Sequence, residues 1–213
     1  RESELGLLRF GFRALDLGEL LLLNDDDVDD YALFPTIVSD VGLGPDGAQG
    51  AVHILHSMPD GGYELVASPE TFGKPSPLRV DDLNADGQLD IAWTVEGCST
   101  FCVLDTQIIT WNGEEYEPLI QPGAAIAEGS ADFTPVADDA VGTGESLVMF
   151  GGVSGTPEGG LTIAHEETWQ SIGDQPYRRI AWQYDRSASN SDCMGLRMIE
   201  ADVALQASDV LGY

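Results

Sequence analysis

The sequence predicts an all-β protein made of about three four-stranded repeat units. Three observations lead to this prediction. The 213 residues include 25 glycines and 11 prolines, which are scattered along the chain as expected for many short strands joined by turns. Short runs rich in β-branched and aromatic residues lie between these turns. An acidic segment also recurs along the chain, and recurrence at a fixed spacing is typical of repeat architectures.

The candidate strands are bounded by turn signals. Residues 107–111 run into Asn112-Gly113, the strongest short hairpin signal, and residues 52–56 precede the glycine turn Asp60-Gly61-Gly62. In chain order, the candidate strands are residues 52–56, 63–66, 91–95, 107–111, 147–150, 161–164 and 179–182.

The two ends of the chain differ from the centre. Residues 1–20 form a strand-like extension, and residues 21–185 contain the repeats. Residues 186–213 form a C-terminal segment in which Met198, Ala201 and Leu205 recur at three- and four-residue steps. This spacing, among good helix formers, predicts a short helix near the C terminus.

The internal repetition is centred on an acidic loop that precedes an apolar strand. Residues 24–33 align with residues 84–93, which lie 60 positions later, and residues 139–148 form a weaker third copy. Three units of this kind indicate a repeat architecture rather than a β-sandwich.

The sharpest motif is the second copy of this loop, Asp82-Leu83-Asn84-Ala85-Asp86-Gly87-Gln88-Leu89-Asp90. Side-chain oxygens stand at its first, third, fifth and ninth positions, and Gln88 at the seventh would offer its backbone carbonyl. Gly87 permits the sharp turn that wraps a backbone around an ion. Such a donor set suits Ca²⁺ better than Mg²⁺, which demands tighter octahedral geometry. The predicted ligands are Asp82, Asn84, Asp86, Gln88 and Asp90.

This loop has two other interpretations, an EF-hand and a turn that binds no ion. An EF-hand needs a bidentate acid at position 12, where this chain has Trp93, and its flanks are helical rather than strand-like. The EF-hand is therefore excluded. An aspartate- and asparagine-rich turn that binds no ion stays open, above all for the first copy.

An Asp-x-Asn-x-Asp-Gly-x-x-Asp loop that leads into an apolar strand and recurs 60 residues apart resembles the FG-GAP/VCBS-type repeats of calcium-binding β-propellers. Such repeats occur in integrin α-chain heads and in many secreted bacterial proteins. The resemblance covers about residues 20–185. It implies propeller-like blades with Ca²⁺ as the cofactor. Because propellers close with four to eight blades, three units imply either an open array or closure by the chain ends.

The other two copies match this pattern less well. In the first, Asn24, Asp26 and Asp30 fit and Val28 would offer its carbonyl, which gives a second, weaker candidate site. Leu22 stands where the first aspartate belongs, and Asp27 replaces the glycine. The third copy keeps Asp139 and Gly144 but has Val141, Thr143 and Leu147 at the other ligand positions, so no ion is expected there.

The cysteines favour an oxidising compartment. Cys98 and Cys102 lie where a strand turns back, and the sequence predicts a disulfide that pins this turn. The alternative is a metal site, but no second Cys or His pair follows at zinc-like spacing. Cys193 is left over.

The charge balance limits the partners. Nine Lys+Arg against 37 Asp+Glu give a net charge of −28, which repels nucleic-acid phosphates and anionic lipid headgroups. No apolar run approaches the roughly 20 residues of a bilayer-spanning helix. We therefore expect neither a nucleic-acid partner nor membrane insertion. The same charge attracts hard divalent cations, although a solvated acidic coat explains many of these carboxylates equally well.

The sequence contains no Gly-x-Ser-x-Gly elbow, His-Glu-x-x-His helix or phosphate-binding Gly-rich loop. We therefore expect a non-catalytic, calcium-stabilised module, secreted or at the cell surface, that binds a protein or glycan ligand. The first alternative is a subunit of an extracellular homo-oligomer or fibre assembled through its terminal strands. The second alternative is a hydrolase on a propeller scaffold.

Overall fold

The computed structural model describes residues 20–21, 30–33, 36–38, 48–58, 60–69, 71, 73–99, 101–136, 144–152, 164–173, 175–184, 197–198, 201–202 and 205. Its strands are, in chain order, β1 (Leu20–Leu21), β2 (Asp30–Leu33), β3 (Thr36–Val38), β4 (Ala48–Gly50), β5 (His53–Ser57), β6 (Tyr63–Ala67), β7 (Lys74–Asp81), β8 (Asp90–Cys98), β9 (Cys102–Trp111), β10 (Tyr116–Pro118), β11 (Ala125–Ala127), β12 (Ser130–Pro135), β13 (Glu145–Gly151), β14 (His165–Ile172) and β15 (Gln175–Tyr184).

The strands form three antiparallel sheets and one small hairpin. The first sheet has the order β1-β2-β5-β6, and the hairpin β3-β4 lies between β2 and β5 in the chain. The middle sheet has the order β10-β9-β8-β7, with β11 as a fifth strand paired to β9. The third sheet has the order β12-β13-β14-β15. The prediction of an all-β chain is therefore confirmed for the part that the structure describes.

The three acidic copies occupy the same place in the three sheets. Each lies between the first two strands of its sheet: β1 and β2, β7 and β8, or β12 and β13. The strand registers of the first two sheets also correspond, because Leu21 pairs with Asp30 and Asp81 pairs with Asp90. Residues 22–29 and 137–143 lie outside the described residues, so the first and third loops are placed only by the strands that flank them.

The middle sheet packs against the other two sheets, one on each face. Ile91 and Trp93 of β8 join a core cluster with Ile54 of the first sheet. Ala92, which points to the opposite face, joins a second cluster with Leu147 of the third sheet. Residues 90–95 are consequently buried on both faces of the sheet.

Four-stranded antiparallel sheets packed face to face are the arrangement of neighbouring propeller blades. Closure of such an array into a propeller stays a prediction. Four positions of the helix predicted at residues 198–207 are described, namely 198, 201, 202 and 205, and the rest lies outside, so the helix also stays a prediction. Among the described residues there is no helix with the length and apolar character needed to cross a bilayer.

Most predicted strands are present, and several observed strands were not predicted. Five of the seven candidates lie wholly within β6, β8, β9, β13 or β15, and residues 52–56 are offset from β5 by one residue. Residues 161–163 of the seventh lie outside the described residues, and β14 begins at His165. The longest of the unpredicted strands are β7, which contains Pro75 and Pro77, β12 and the polar β14.

We predict that the three sheets unfold as one cooperative unit, because the middle sheet contributes to both core clusters. Ile91→Ala empties a site between the first and middle sheets, and Leu147→Ala empties one between the middle and third sheets. Each residue is fully buried, so each variant should lose about 2–5 kcal/mol of unfolding free energy. Urea unfolding followed by tryptophan fluorescence measures this loss.

Both variants should shift the midpoint of a single transition. Val148→Ala is the matched control, because Val148 is half-buried and adjoins Leu147 on the opposite face of β13. It should cost much less than Leu147→Ala. Two separate transitions, each moved by only one of the core variants, would show that the sheets unfold independently.

Candidate metal site

The predicted metal-binding loop connects β7 to β8 in the middle sheet. Its base is buried, because Leu83 and Asp90 have no exposed surface and Asn84 is only 4% exposed. Its tip, which includes Asp86 and Gly87, is exposed. Leu83 lies in the core between the middle and third sheets and packs beneath the loop. The loop therefore presents polar groups both to solvent and to the protein interior.

Two carboxylates organise the tip of the loop by accepting backbone hydrogen bonds. Oδ1 of Asp82 accepts the N–H of Asp86 at 2.9 Å, and Oδ2 accepts the N–H of Gly87 at 3.0 Å. Oδ1 of Asp86 in turn accepts the N–H of Gln88 at 2.8 Å. Gly87 has a φ of +90°, a left-handed conformation that glycine adopts without steric penalty. Its role in the turn agrees with the sequence prediction.

Asn84 makes two hydrogen bonds to Asp86. Its Oδ1 accepts the N–H of Asp86 at 3.1 Å, and its Nδ2 donates to Oδ2 of Asp86 at 2.8 Å. The side chains of Asn84 and Asp86 therefore face each other, as alternate ligand positions of a curled loop should.

Asp90 is the exceptional residue of the loop, because its carboxylate is fully buried. Oδ2 accepts the N–H of Leu83 at 3.0 Å. Oδ1 has no hydrogen bond of acceptable geometry to any described residue, although Thr110 stands opposite Asp90 in the strand register. Burial raises the pKa of Asp90 to about 6, despite the opposing influence of the Thr110 hydroxyl and the Leu83 amide, and the charge of Asp86 raises it further.

The carboxylates of Asp82, Asp86 and Asp90 lie in one loop, but they are not close enough to share an ion. Among the described residues, one set of three Asp, Glu, His or Cys ligand atoms lies mutually within 4.8 Å. That set does not contain Asp82, Asp86 and Asp90. Each carboxylate keeps free lone pairs beside its backbone hydrogen bonds. The donor set thus fits a hard dication, and closure around an ion requires these carboxylates to approach one another. Binding of calcium stays a prediction.

The set that does lie within 4.8 Å consists of Glu96, Cys98 and Cys102. Cys98 and Cys102 are register partners at the β8–β9 turn, and their sulfur atoms are at bonding distance, 2.04 Å. This agrees with the predicted disulfide. Because thiolates rather than disulfide sulfurs bind metals, this set is not a metal site while the disulfide is intact.

The remaining candidate residues are placed only in part. Asn24, Asp26 and Val28 of the weaker site lie outside the described residues, as does Cys193. Asp30 is the first residue of β2, the position that Asp90 occupies in β8. The weaker site therefore stays a prediction.

Sequence analysis missed a buried ionic cluster in the third sheet. Glu167 of β14 accepts hydrogen bonds from Arg179 and from the Trp169 indole, both at 2.9 Å, and lies 3.4 Å from the His165 ring. Burial favours a higher pKa for Glu167, but these three partners hold the pKa below its usual value. Three partners surround the Glu167 carboxylate, so the cluster is a structural ion pair. The polar run of residues 165–167 gave no sign that His165 and Glu167 are buried.

No protein-family model, curated protein or solved structure matches the chain. The likeness to FG-GAP/VCBS repeats therefore depends on the loop motif and its recurrence alone.

We predict a pH-dependent penalty from Asp90 in metal-free protein. Its folded-state pKa of about 6 lies above the ordinary value of 3.8. The folded state therefore holds the proton more tightly, and stability is lost as the pH rises between these values. The difference corresponds to about 3 kcal/mol. With a chelator present, Asp90→Asn should therefore be more stable than the natural chain at pH 7, and this advantage should shrink at pH 4.

Chemical unfolding at the two pH values measures this effect. Asp132→Asn is the control, because Asp132 is exposed on β12 and its replacement also removes one charge from a strongly acidic chain. If Asp90→Asn is destabilised equally at both pH values, burial of the charged form is not the source of the penalty.

Proposed function

We propose that the chain is an extracellular β-repeat module that is stabilised by calcium and that acts by binding rather than by catalysis. The observation that carries this proposal is the carboxylate of Asp90, which is buried with one oxygen unpartnered among the described residues. It lies beneath the loop that carries the candidate ligand side chains Asp82, Asn84 and Asp86. A buried, uncompensated carboxylate is unfavourable, and a dication is the partner that would compensate it.

The chemistry of the loop favours calcium among the dications. All the side-chain donors are oxygens, from three carboxylates and one amide, and hard cations prefer such donors. Calcium accepts loose geometry and high coordination numbers, which suits a loop that already holds several backbone hydrogen bonds. The bound ion would neutralise carboxylates that otherwise repel one another in a chain of net charge −28.

The family resemblance and the packing of the sheets support a propeller-like architecture for the module. The resemblance to FG-GAP/VCBS repeats implies blades, and the stacking of three antiparallel sheets of four or five strands is compatible with them. A disulfide between Cys98 and Cys102 supports secretion, since disulfides persist mainly in oxidising compartments.

The surface of the β5–β6 hairpin supports a binding role. Met58, Tyr63 and Leu65 are large apolar residues that are 39%, 48% and 56% exposed. Exposed aromatic and aliphatic side chains next to polar residues are typical of protein-binding surfaces. The proposed ligand is a protein or glycan at the cell surface.

We predict that calcium stabilises the natural chain through the Asp82–Asp90 loop. At a free concentration of 100 times the dissociation constant, calcium should raise the melting temperature by roughly 5–10 °C. Asp86→Ala should remove most of this rise, because Asp86 bonds both to Asn84 and to the Gln88 amide. Differential scanning calorimetry with chelator, calcium or magnesium measures the effect.

Asp60→Ala is the matched control. Asp60 also accepts a backbone hydrogen bond in a glycine turn, from the N–H of Gly62, but it lies in the first sheet and outside the loop. It should keep the full calcium response. An identical melt of the natural chain in chelator and in calcium would refute the proposed function.

The edge of the first sheet favours a second candidate, a homo-oligomer formed by strand pairing. The strand β6 ends the order of that sheet and exposes Tyr63 and Leu65, and an apolar edge strand is a template for another chain. The hydrolase alternative gains no such support from the described residues and is not proposed.

We predict that such oligomers depend on this edge and on the N-terminal segment. Size-exclusion chromatography with light scattering should show species larger than the 22.8 kDa chain. Leu65→Lys, which charges the edge, and deletion of residues 1–19 should each convert them to monomer. Thr134→Lys, at an exposed position of β12 in the third sheet, should not. A natural chain that is monomeric at all concentrations excludes this candidate.

A further inference from the structure

The third sheet contacts the backbone of the candidate metal loop at a single peptide carbonyl. The carbonyl oxygen of Leu83, between the candidate ligands Asp82 and Asn84, accepts the N–H of Glu145 at 2.8 Å. The hydroxyl of Tyr177 lies 2.7 Å from the same oxygen. Both donors belong to the third sheet, from β13 and β15, so this carbonyl is held by two strands of a neighbouring sheet.

A glycine makes this close approach sterically feasible. Gly144 precedes Glu145 and has a φ of +74°. A Cβ atom at Gly144 would overlap the carbonyl oxygen of Leu83 and lie 2.8 Å from its carbonyl carbon. The third acidic copy has Val141, Thr143 and Leu147 where carboxylate or amide ligands are expected, but it contains this glycine. Its described end packs on the second loop.

Tyr177 is itself rigidly placed. Its side chain is fully buried, and its ring meets Phe133 edge-on at 6.2 Å. Its backbone N–H donates to the carbonyl of Leu119 at 2.7 Å, and its own carbonyl accepts the N–H of Gln121 at 2.8 Å. The hydroxyl therefore reaches Leu83 from a fixed position.

The hydroxyl of Tyr177 is also a dependable donor. Burial raises its pKa, and the charges of Asp90, Glu145 and Asp82 raise it further. It lies 2.8 Å from the carbonyl oxygen of Glu145 as well as 2.7 Å from that of Leu83. Since one hydroxyl carries one proton, it can donate to either carbonyl and so bridges the two.

A second link joins the same elements through side chains. The guanidinium of Arg79, on the strand that leads into the loop, forms an ion pair with the carboxylate of Glu145 at 3.2 Å. Glu145, the first residue of β13, thus contacts the loop through its backbone N–H and contacts strand β7 through its side chain. The third sheet therefore contacts both the loop and the strand that leads into it.

We propose that Tyr177 is a positioning residue for the metal loop: with the amide of Glu145, its hydroxyl fixes the carbonyl of Leu83 and couples ion binding to the packing of the third sheet. The coupling to an ion rests on the proposed function, whereas the positioning of the loop does not. Because coupling between two sites is reciprocal, an ion in the loop should also order β13.

Amide hydrogen exchange of the full chain, measured by NMR, tests the positioning in chelator. Tyr177→Phe keeps the buried ring and removes the bridge. It should speed exchange at the amides of Asp86, Gly87 and Gln88 about fivefold, the effect of losing one net hydrogen bond. Amides of β5 should be unchanged. Tyr184→Phe, at the far end of the same strand, is the control.

Gly144→Ala provides a second variant that leaves the hydroxyl in place. It should produce the same loop-selective acceleration, because the added Cβ pushes the loop away. Unchanged loop amides in both variants, or equal acceleration in β5 and the loop, would overturn the positioning role.

Calcium titration of the same samples tests the coupling. Calcium should slow exchange of the Glu145 amide as well as the loop amides, and Tyr177→Phe should raise the calcium dissociation constant about fivefold. Protection confined to the loop, or an unchanged dissociation constant, would overturn the coupling. If calcium leaves the loop amides of the natural chain unaltered, the proposed function fails, while the chelator experiment still decides the positioning.

Discussion

A carboxylate without a counter-charge inside the protein is the constraint that organises the central part of this fold. Asp90 opens β8, the strand that packs on both neighbouring sheets, so its side chain cannot move to solvent without disturbing both cores. The backbone amide of Leu83 satisfies one oxygen only. At neutral pH, either a proton or a cation must compensate the remaining negative charge of the Asp90 carboxylate. The loop above it carries the oxygens that would hold a cation.

The three sheets show how similar units can take on different tasks. The same hairpin position carries a complete donor set in the middle sheet and an incomplete one in the first sheet. In the third sheet the hairpin ends in Gly144 and Glu145, which contact the middle loop through their backbone. The unit without the candidate ligand set thus supports the unit that carries it. If the loop binds an ion as proposed, ion binding and sheet packing are coupled.

The sequence predicted the class of the fold and the location of the loop, because both depend on local patterns. Apolar runs bounded by glycine turns identified most strands. It missed β7, whose two prolines are tolerated because β7 is an edge strand, and β14, whose buried polar residues bond to one another. Whether β7 and β14 form strands depends on their tertiary contacts, which a local pattern does not show.

Some features of the candidate metal site could likewise be predicted from local sequence, and others could not. Spacing identified the candidate ligand residues and the glycine of the turn, which are features of nine consecutive residues. It could not show that Asp82 and Asp86 accept backbone N–H groups, or that Asp90 is buried without a second partner. Tyr177 was missed because it lies 94 residues from Leu83, and no local pattern reports such a contact.

The central claim is that the loop holds one hard dication specifically, in contrast to the diffuse attraction that any strongly acidic surface exerts. Equilibrium dialysis against radioactive calcium, at physiological ionic strength and with excess magnesium, separates the two. We expect saturable binding, of which Asp90→Asn removes one ion per chain. Binding that rises without saturation, and that is the same in Asp90→Asn, would contradict it.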